Sequence, residues 1–258
     1  MTENAPAATL DRDWARAARW WGTFVAIAFV IATIVYLLDA FDLLATPPHY
    51  ASTAAGQLQD EGVFYAALFA YRHEIWWDHV LRDTLYFFAY LGLIPVLLAA
   101  IAAVRTHRSS IQIAGAFVGA GAIFGALNAV TFLVLTDWWK GTGWDEVPAA
   151  LMASIGRTAD FVDGISTWCG TASQAALALG FAYLGTACRA DEALPRRLAP
   201  IAYAGAVILA AMIVIPQLPL DTGPLWDILA LVVGVFIGPA VAWTLGRHLG
   251  RLPAKDDA

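Results

Sequence analysis

The chain has 258 residues, of which 60% are hydrophobic and only 14% are charged. Its mean hydropathy is +0.64 and its pI is about 5.2. A soluble domain is typically about 45–50% apolar and about 25% charged. The composition therefore excludes a soluble enzyme, a disordered chain and a nucleic-acid binder, and predicts lipid as the solvent for much of the surface. The net charge of −6 offers no basic patch to nucleic acid.

A helix that crosses a bilayer needs about 20 mostly apolar residues. Six stretches qualify, at about 21–44, 80–104, 111–135, 160–188, 198–215 and 225–245. The expected fold is all-α: a polytopic integral membrane bundle of six transmembrane helices, with residues 1–258 as a single membrane domain. Asp11 to Trp21 reads as an interfacial lead-in to the first span, with Trp20 and Trp21 at headgroup level. Pro47-Pro48, Gly141 with Gly143, Pro195, Pro216 with Pro219, and Gly223-Pro224 punctuate the joins. Two external segments are long, 46–79 and 136–158. The first contains an amphipathic stretch, Tyr50–Tyr71, expected to form a short helix on the outer interface. The second carries Trp138, Trp139 and Trp144, then Val147–Ile155 as a helical lead-in to the fourth span.

Orientation follows from the basic residues. Arg12, Arg16, Arg19, Arg105, Arg108, Arg189, Arg196, Arg197, Arg247, Arg251 and Lys255 fall on one side, and Arg72, Arg82, Lys140 and Arg157 on the other. The excess puts both termini in the cytoplasm and the chain in the cytoplasmic membrane. The two cysteines, Cys169 and Cys188, sit 19 residues apart on one expected helix, about 28 Å at 1.5 Å per residue and beyond disulfide reach.

Ionisable groups inside a membrane are costly and point to function. His79, Asp83, Tyr86 and Tyr90 share one face of the second span. Asp160, Asp163, Thr167, Thr171 and Gln174 share one face of the fourth, with Arg157 one turn before Asp160 and spaced to pair with it. Asn128 and Thr131 lie on the third span, Tyr36, Asp39 and Asp42 on the first, and Trp226 and Asp227 at the start of the sixth. Asp39, Asp42, Asp78, Asp137 and Asp227 are expected to mark span ends in water. Asp83 and Asp163 lie deeper, as members either of a cavity or of ion pairs with Arg82 and Arg157. Trp76, Trp77, Trp138, Trp139, Trp144 and Trp226 fit an outer aromatic belt, whereas Trp168 stands beside the polar face and suits a ligand wall. The stretch His73 to His79 lacks H-E-x-x-H or Cys-based spacing, so no metal is expected. No P-loop or G-x-G-x-x-G occurs, and no cofactor is expected.

The end of the fourth span and the start of the fifth read Gly180-Phe-Ala-Tyr-Leu-Gly-Thr-Ala-Cys-Arg-Ala-Asp-Glu-Ala-Leu-Pro195-Arg196-Arg197-Leu198. A Gly-rich span that ends in a short polar turn and then Pro-Arg-x-Leu resembles the DUF4386 family of bacterial six-span membrane proteins. The long first external segment with its Ala-rich stretch Ala51–Gln59 is similar. The charged His73–Asp83 stretch and the Trp-rich second external segment depart from that pattern. The resemblance covers the span count and one short motif. It implies the fold and carries no activity.

Three function classes follow. The first is an outward-opening cavity between spans two, three and four, with Asp83 and Asp163 facing each other, that binds or converts a small apolar, lipid- or isoprenoid-like molecule. In its enzymatic form this is an intramembrane cyclase or isomerase, with Asp83, Asp160 and Asp163 as carboxylic acids and His79, Arg82, Tyr86, Asn128, Arg157, Thr167, Trp168 and Gln174 contacting substrate. The second is a proton-coupled small-molecule transporter. The third is an accessory subunit of a larger membrane complex. Expected partners are membrane lipid, a small apolar ligand, and either a second copy or a larger membrane complex.

Overall fold

The computed structural model describes residues 9–44, 57–104, 108–218 and 223–254, with the side chains of 57–60 left aside. Among the described residues the chain is all helical, with one isolated bridge between Leu10 and Ala254. The elements are α1 (Arg12–Ala40), α2 (Gln57–Glu74), α3 (Trp76–Ala103), α4 (Arg108–Trp139), α5 (Ala149–Ala190), α6 (Leu198–Val214), α7 (Gly223–Leu231) and α8 (Gly238–Leu249). A π-helical turn, Val232–Ile237, joins α7 to α8 into one rod. The turn has a local cause. Pro239 has no N–H to continue the ladder, and the Gly238 N–H reaches back five residues to the Val233 carbonyl.

Five helices are long and apolar enough to cross a membrane: α1, α3, α4, α6 with its following turn, and the α7–α8 rod. The expected fourth span is not among them. Its lead-in, Val147–Ile155, and the span itself merge into α5, one helix of 42 residues, about 63 Å long. That is about twice the thickness of a hydrocarbon core. Its acids and hydroxyls dilute its apolar character. Helix α1 starts at Arg12, well before Trp21, because the Asp11 carboxylate caps it by accepting from Asp13 N–H at 2.8 Å. The Tyr50–Tyr71 stretch is helical from Gln57, and the helix continues to Glu74; residues 50–56, including most of the Ala-rich stretch, lie outside the described residues. Pro47-Pro48, Arg105, Pro219 and Lys255 lie outside them too.

The interior divides into two. The larger core joins α1, α3, α4, α5, α6 and α8 around Val25, Leu93, Val96, Leu97, Ile111, Leu184, Leu198 and Leu245. A separate core joins α2, the end of α4 and the first half of α5 around Tyr65, Phe69, Leu135, Trp139 and Met152. Thus α2 packs its Tyr65 and Phe69 face on α5. The Tyr65 ring lies over Gly156, where a side chain would occupy the same space. In the larger core, α1 and α8 cross backbone to backbone. A Cβ on Gly22 would sit 2.5 Å from the Ala242 carbonyl oxygen and 2.9 Å from the Gly246 Cα. Ala18 with Gly22 and Ala242 with Gly246 form paired small-xxx-small faces, the packing that brings helices together where lipid removes the hydrophobic drive.

Leu10 N–H donates to the Pro253 carbonyl at 3.1 Å. The first and last described segments therefore meet at one end of the bundle, the terminal end. The opposite end, with α2 and the start of α5, is the head end.

Gly246→Val is expected to push α1 and α8 apart at a cost of about 1–3 kcal/mol, the usual range for overpacking, and to lower Tm in detergent. Gly119→Ala, where an added Cβ meets nothing within 4 Å, leaves Tm unchanged or raises it.

Candidate functional site: a buried ion-pair cluster at the head end

The last turns of α1, the last turn of α2 and the first turns of α3 converge on Asp39. Tyr71 Oη donates to Asp39 Oδ1 at 2.9 Å, and Arg72 Nη1 donates to Oδ2 at 3.3 Å. Arg82 Nη1 lies 3.7 Å and His79 Nε2 3.9 Å from the same Oδ2. Arg82 also forks onto Asp83, with Nε to Oδ1 at 2.7 Å and Nη2 to Oδ2 at 3.1 Å. Arg72 Nη1 donates to His79 Nε2 at 2.9 Å, so that nitrogen is an acceptor and the ring carries its proton on Nδ1. Nδ1 is buried with no hydrogen-bond partner among the described residues.

The cluster is dry. Asp78 is 4%, His79 2%, Arg82 7% and Asp83 3% exposed. Two charges taken from water stay only if each is paired and bonded, and the rings of α4 complete the enclosure. Arg72 lies 5.3 Å over the Trp139 ring, Arg82 5.5 Å over Phe132, and His79 5.4 Å from Trp139. Burial and the neighbouring Asp39 carboxylate push the Tyr71 phenol up to about 12, so it stays a donor at neutral pH.

A polar seam leads from the cluster into the bundle. Tyr36 Oη donates to Asp227 Oδ1 at 2.6 Å, and the Thr33 and Tyr86 hydroxyls are bonded at 3.0 Å. Farther along, Asn128 Nδ2 donates to the Ser166 carbonyl at 2.7 Å, Ser166 Oγ returns a bond to the Asn128 carbonyl at 3.3 Å, and Ser173 Oγ donates to the Gly121 carbonyl at 2.7 Å. Toward the terminal end α3, α4, α5 and α8 enclose a void of about 10 Å³, lined by apolar side chains including Leu93, Val118, Phe181 and Leu245. That is about the least volume that holds one water.

The expected site residues thus fall into three groups. His79, Arg82 and Asp83 come together, with Tyr86 one turn below them. Asn128 ties α4 to α5. Asp160, Asp163 and Thr167 are exposed on one side of α5, with Gln174 half-buried farther along it and Arg72 of the cluster the cation that acts on Asp163, while Trp168, 77% exposed, stands on a different side of the helix. The local pairing of Arg157 with Asp160 is replaced. Arg157 forks onto Glu61 at 2.6 and 3.0 Å, and Asp160 accepts from Tyr65 Oη. A two-pronged guanidinium–carboxylate contact outweighs a surface pair on one helix face. Burial and the Asp160 bond raise the Tyr65 phenol, while Arg157 holds the Glu61 carboxyl below the usual range.

Three residues expected at span ends in water are in fact partnered or buried: Asp39, Asp78 and Asp227. Trp139, expected in an outer belt, is 8% exposed and walls the ion cluster. Arg72, Tyr71 and Glu61 were not singled out by sequence. The one available signal is the i, i+3 placement of Tyr36 and Asp39 on the face that turns inward. Among the described residues no group of three His, Cys, Asp or Glu side chains is placed to hold a metal ion.

The class defined by these features is an all-helical protein with five helices able to cross a membrane and a buried ionic cluster at one end of the bundle. Comparison with protein families, curated proteins and solved structures finds no match.

Arg82→Leu strands Asp83 and is expected to cost about 3–5 kcal/mol, whereas Arg82→Leu with Asp83→Leu recovers most of that loss; thermal unfolding of both variants in detergent checks the difference. The Glu61–Arg157 contribution to α2 docking is present at neutral pH and is lost as pH falls through the lowered Glu61 pKa. Protection of α2 amides, measured against their intrinsic exchange rate at each pH, should therefore fall in acid in the wild type, and at neutral pH in Glu61→Gln.

Proposed function

We propose that the chain is a six-span protein of the cytoplasmic membrane, with both termini cytoplasmic, that serves as an accessory subunit of a larger membrane assembly. Parity supports the sixth span. Leu10 and Ala254 meet at one end of the bundle, which an odd number of crossings does not allow. Helix α2 ends beside the end of α1 through Arg72 and Asp39, so the remaining crossing belongs to α5. The excess of basic residues at the terminal end supports its placement inside, and α2 with the first half of α5 then stands at the outer surface.

One observation carries the subunit reading: the exposed surface of α5 is neither a lipid face nor a water face. Phe161 is 70%, Ile165 45% and Trp168 77% exposed on one side of the helix, and Asp160, Asp163 and Thr167 are exposed on another. An added Cβ at Gly164 meets nothing within 4 Å. Asp163 has no ion pair or hydrogen bond among the described residues. Carboxylates beside small and aromatic residues suit a neighbouring helix that brings a Lys or Arg to the same level. By contrast, Asp83 is buried and doubly bonded to Arg82, an arrangement that holds structure and offers no acid to a substrate.

A photoreactive residue in place of Trp168 is expected to give a protein adduct of one defined mass in cells, absent when the probe replaces lipid-facing Val207 and lost with Asp163→Lys. An adduct of twice the 27.7 kDa chain mass would mark a second copy as the neighbour. Lipid adducts alone at both positions would sink the reading.

A second reading is favoured by one feature of the same flank, the exposed Trp168 ring beside Thr167 and one turn and a half from Asp163. That grouping can hold a small apolar molecule with a polar end. Mass spectrometry of lipid extracts then shows a co-purifying molecule that Asp163→Asn loses.

A further inference from the structure

At the terminal end, the junction of α5 and α6 forms an open cleft of about 390 Å³ lined by Arg189, Arg196, Ala199, Pro200 and Tyr203. We propose that this cleft binds the phosphodiester headgroup of an anionic phospholipid, with its acyl chains along α5 and α6. The inference rests on the membrane reading above, which puts the cleft at the inner membrane surface.

The cleft is built on a fixed turn. The Asp191 carboxylate accepts from Ala193 N–H at 2.8 Å, and His248 Nε2 donates to the Ala193 carbonyl at 3.1 Å. Leu194 and Leu198 beneath it are 2% and 0% exposed. One wall is the Tyr203 ring. It lies on Gly185, where an added Cβ would stand 3.0 Å from the ring, and its hydroxyl is bonded to Thr186 Oγ1 at 3.1 Å. The two cations above it are available. Arg189 makes no ion pair or hydrogen bond among the described residues. Arg196 meets only Glu192, at 3.4 Å between side chains 67% and 89% exposed, a pair too loose and too wet to hold the guanidinium. Two guanidiniums that converge over an aromatic wall match the oxygens of a phosphodiester, by forked hydrogen bonds as well as charge.

The ligand is an amphiphile, because apolar surface continues from the cleft. Pro200, Tyr203 and Val207 follow one another on one face of α6, and Val207 is 69% exposed. Leu179, Tyr183 and Thr186 do the same on α5, with Leu179 48% and Tyr183 38% exposed. A headgroup between Arg189 and Arg196 leaves its chains against these stripes.

The test uses the full chain. Flotation with phosphatidylcholine vesicles comes first; failure to float overturns the membrane reading itself. Native mass spectrometry then compares retained phosphatidylglycerol with phosphatidylcholine. Wild type is expected to keep one phosphatidylglycerol in preference. Arg189→Gln and Arg196→Gln, both solvent-exposed changes, each reduce that preference about fivefold. Arg247→Gln and Arg251→Gln, at the same end of the bundle, leave it unchanged. Gly185→Ala, which displaces the Tyr203 ring and keeps both cations, weakens it as well. Equal losses in all four arginine variants mean diffuse charge and overturn the proposal. Displacement of the lipid by millimolar inorganic phosphate, or equal retention of both lipids in a protein that floats, overturns it too.

Discussion

The Asp39 carboxylate gathers a phenol from α2, two guanidiniums from α2 and α3, and a histidine edge from α3. Everything at the head end is placed by that convergence. A carboxylate cannot be left bare in a dry interior, and neither can Arg82, so the helices that carry their partners must meet in one register. The C-terminal turn of α1 suits the cations it faces, since helix ends there are electronegative. With α1, α2 and α3 tied at that point, α2 is held with its Tyr65 and Phe69 side against α5, and the separate head core can form.

The other half of the bundle obeys a different rule. Toward the terminal end the packed interior is apolar, and helices associate through close backbone approach at Gly22 and Gly246 around a void of about 10 Å³. The polar seam from Tyr36 to Ser173 marks the transition. Each hydroxyl or amide there is bonded to a neighbouring helix, so the seam acts as interhelical glue.

How far the sequence revealed this follows from the range of each interaction. Five of the six expected spans are legible because hydropathy over about 20 residues is a property of the segment alone. The remaining one forms a helix that is not apolar enough to count as a span, because α5 carries Asp160, Asp163 and Thr167 in that stretch. The ion cluster was legible on α3, where His79, Arg82 and Asp83 lie within one turn. It was not legible at Asp39 and Arg72, which are 33 residues apart and meet only through the packing of three helices. Arg157 shows the same limit. Helical spacing points to Asp160, but the fold supplies Glu61 from 96 residues away. Local rules worth a few tenths of a kcal/mol lose to one well-formed tertiary contact.

Helix α5 shows how one element can serve two surroundings. Its first half is anchored by Tyr65 over Gly156, by Glu61 on Arg157 and by Met152 in the head core. Its second half packs on α4 through Ser166, Ser173 and Gly180. Both halves are therefore fixed by their inner faces, and the outer face is free of any duty to the fold. Phe161, Ile165 and Trp168 share the outermost side of α5, and none of them belongs to either core. An aromatic ring 77% exposed, on a helix that also carries exposed carboxylates, is not required by folding alone, and the same length of α5 could be built from alanine and leucine. A neighbouring helix on that side would cover it, and for that reason the proposal of an accessory subunit turns on the outer side of α5 and leaves the buried cluster a structural role.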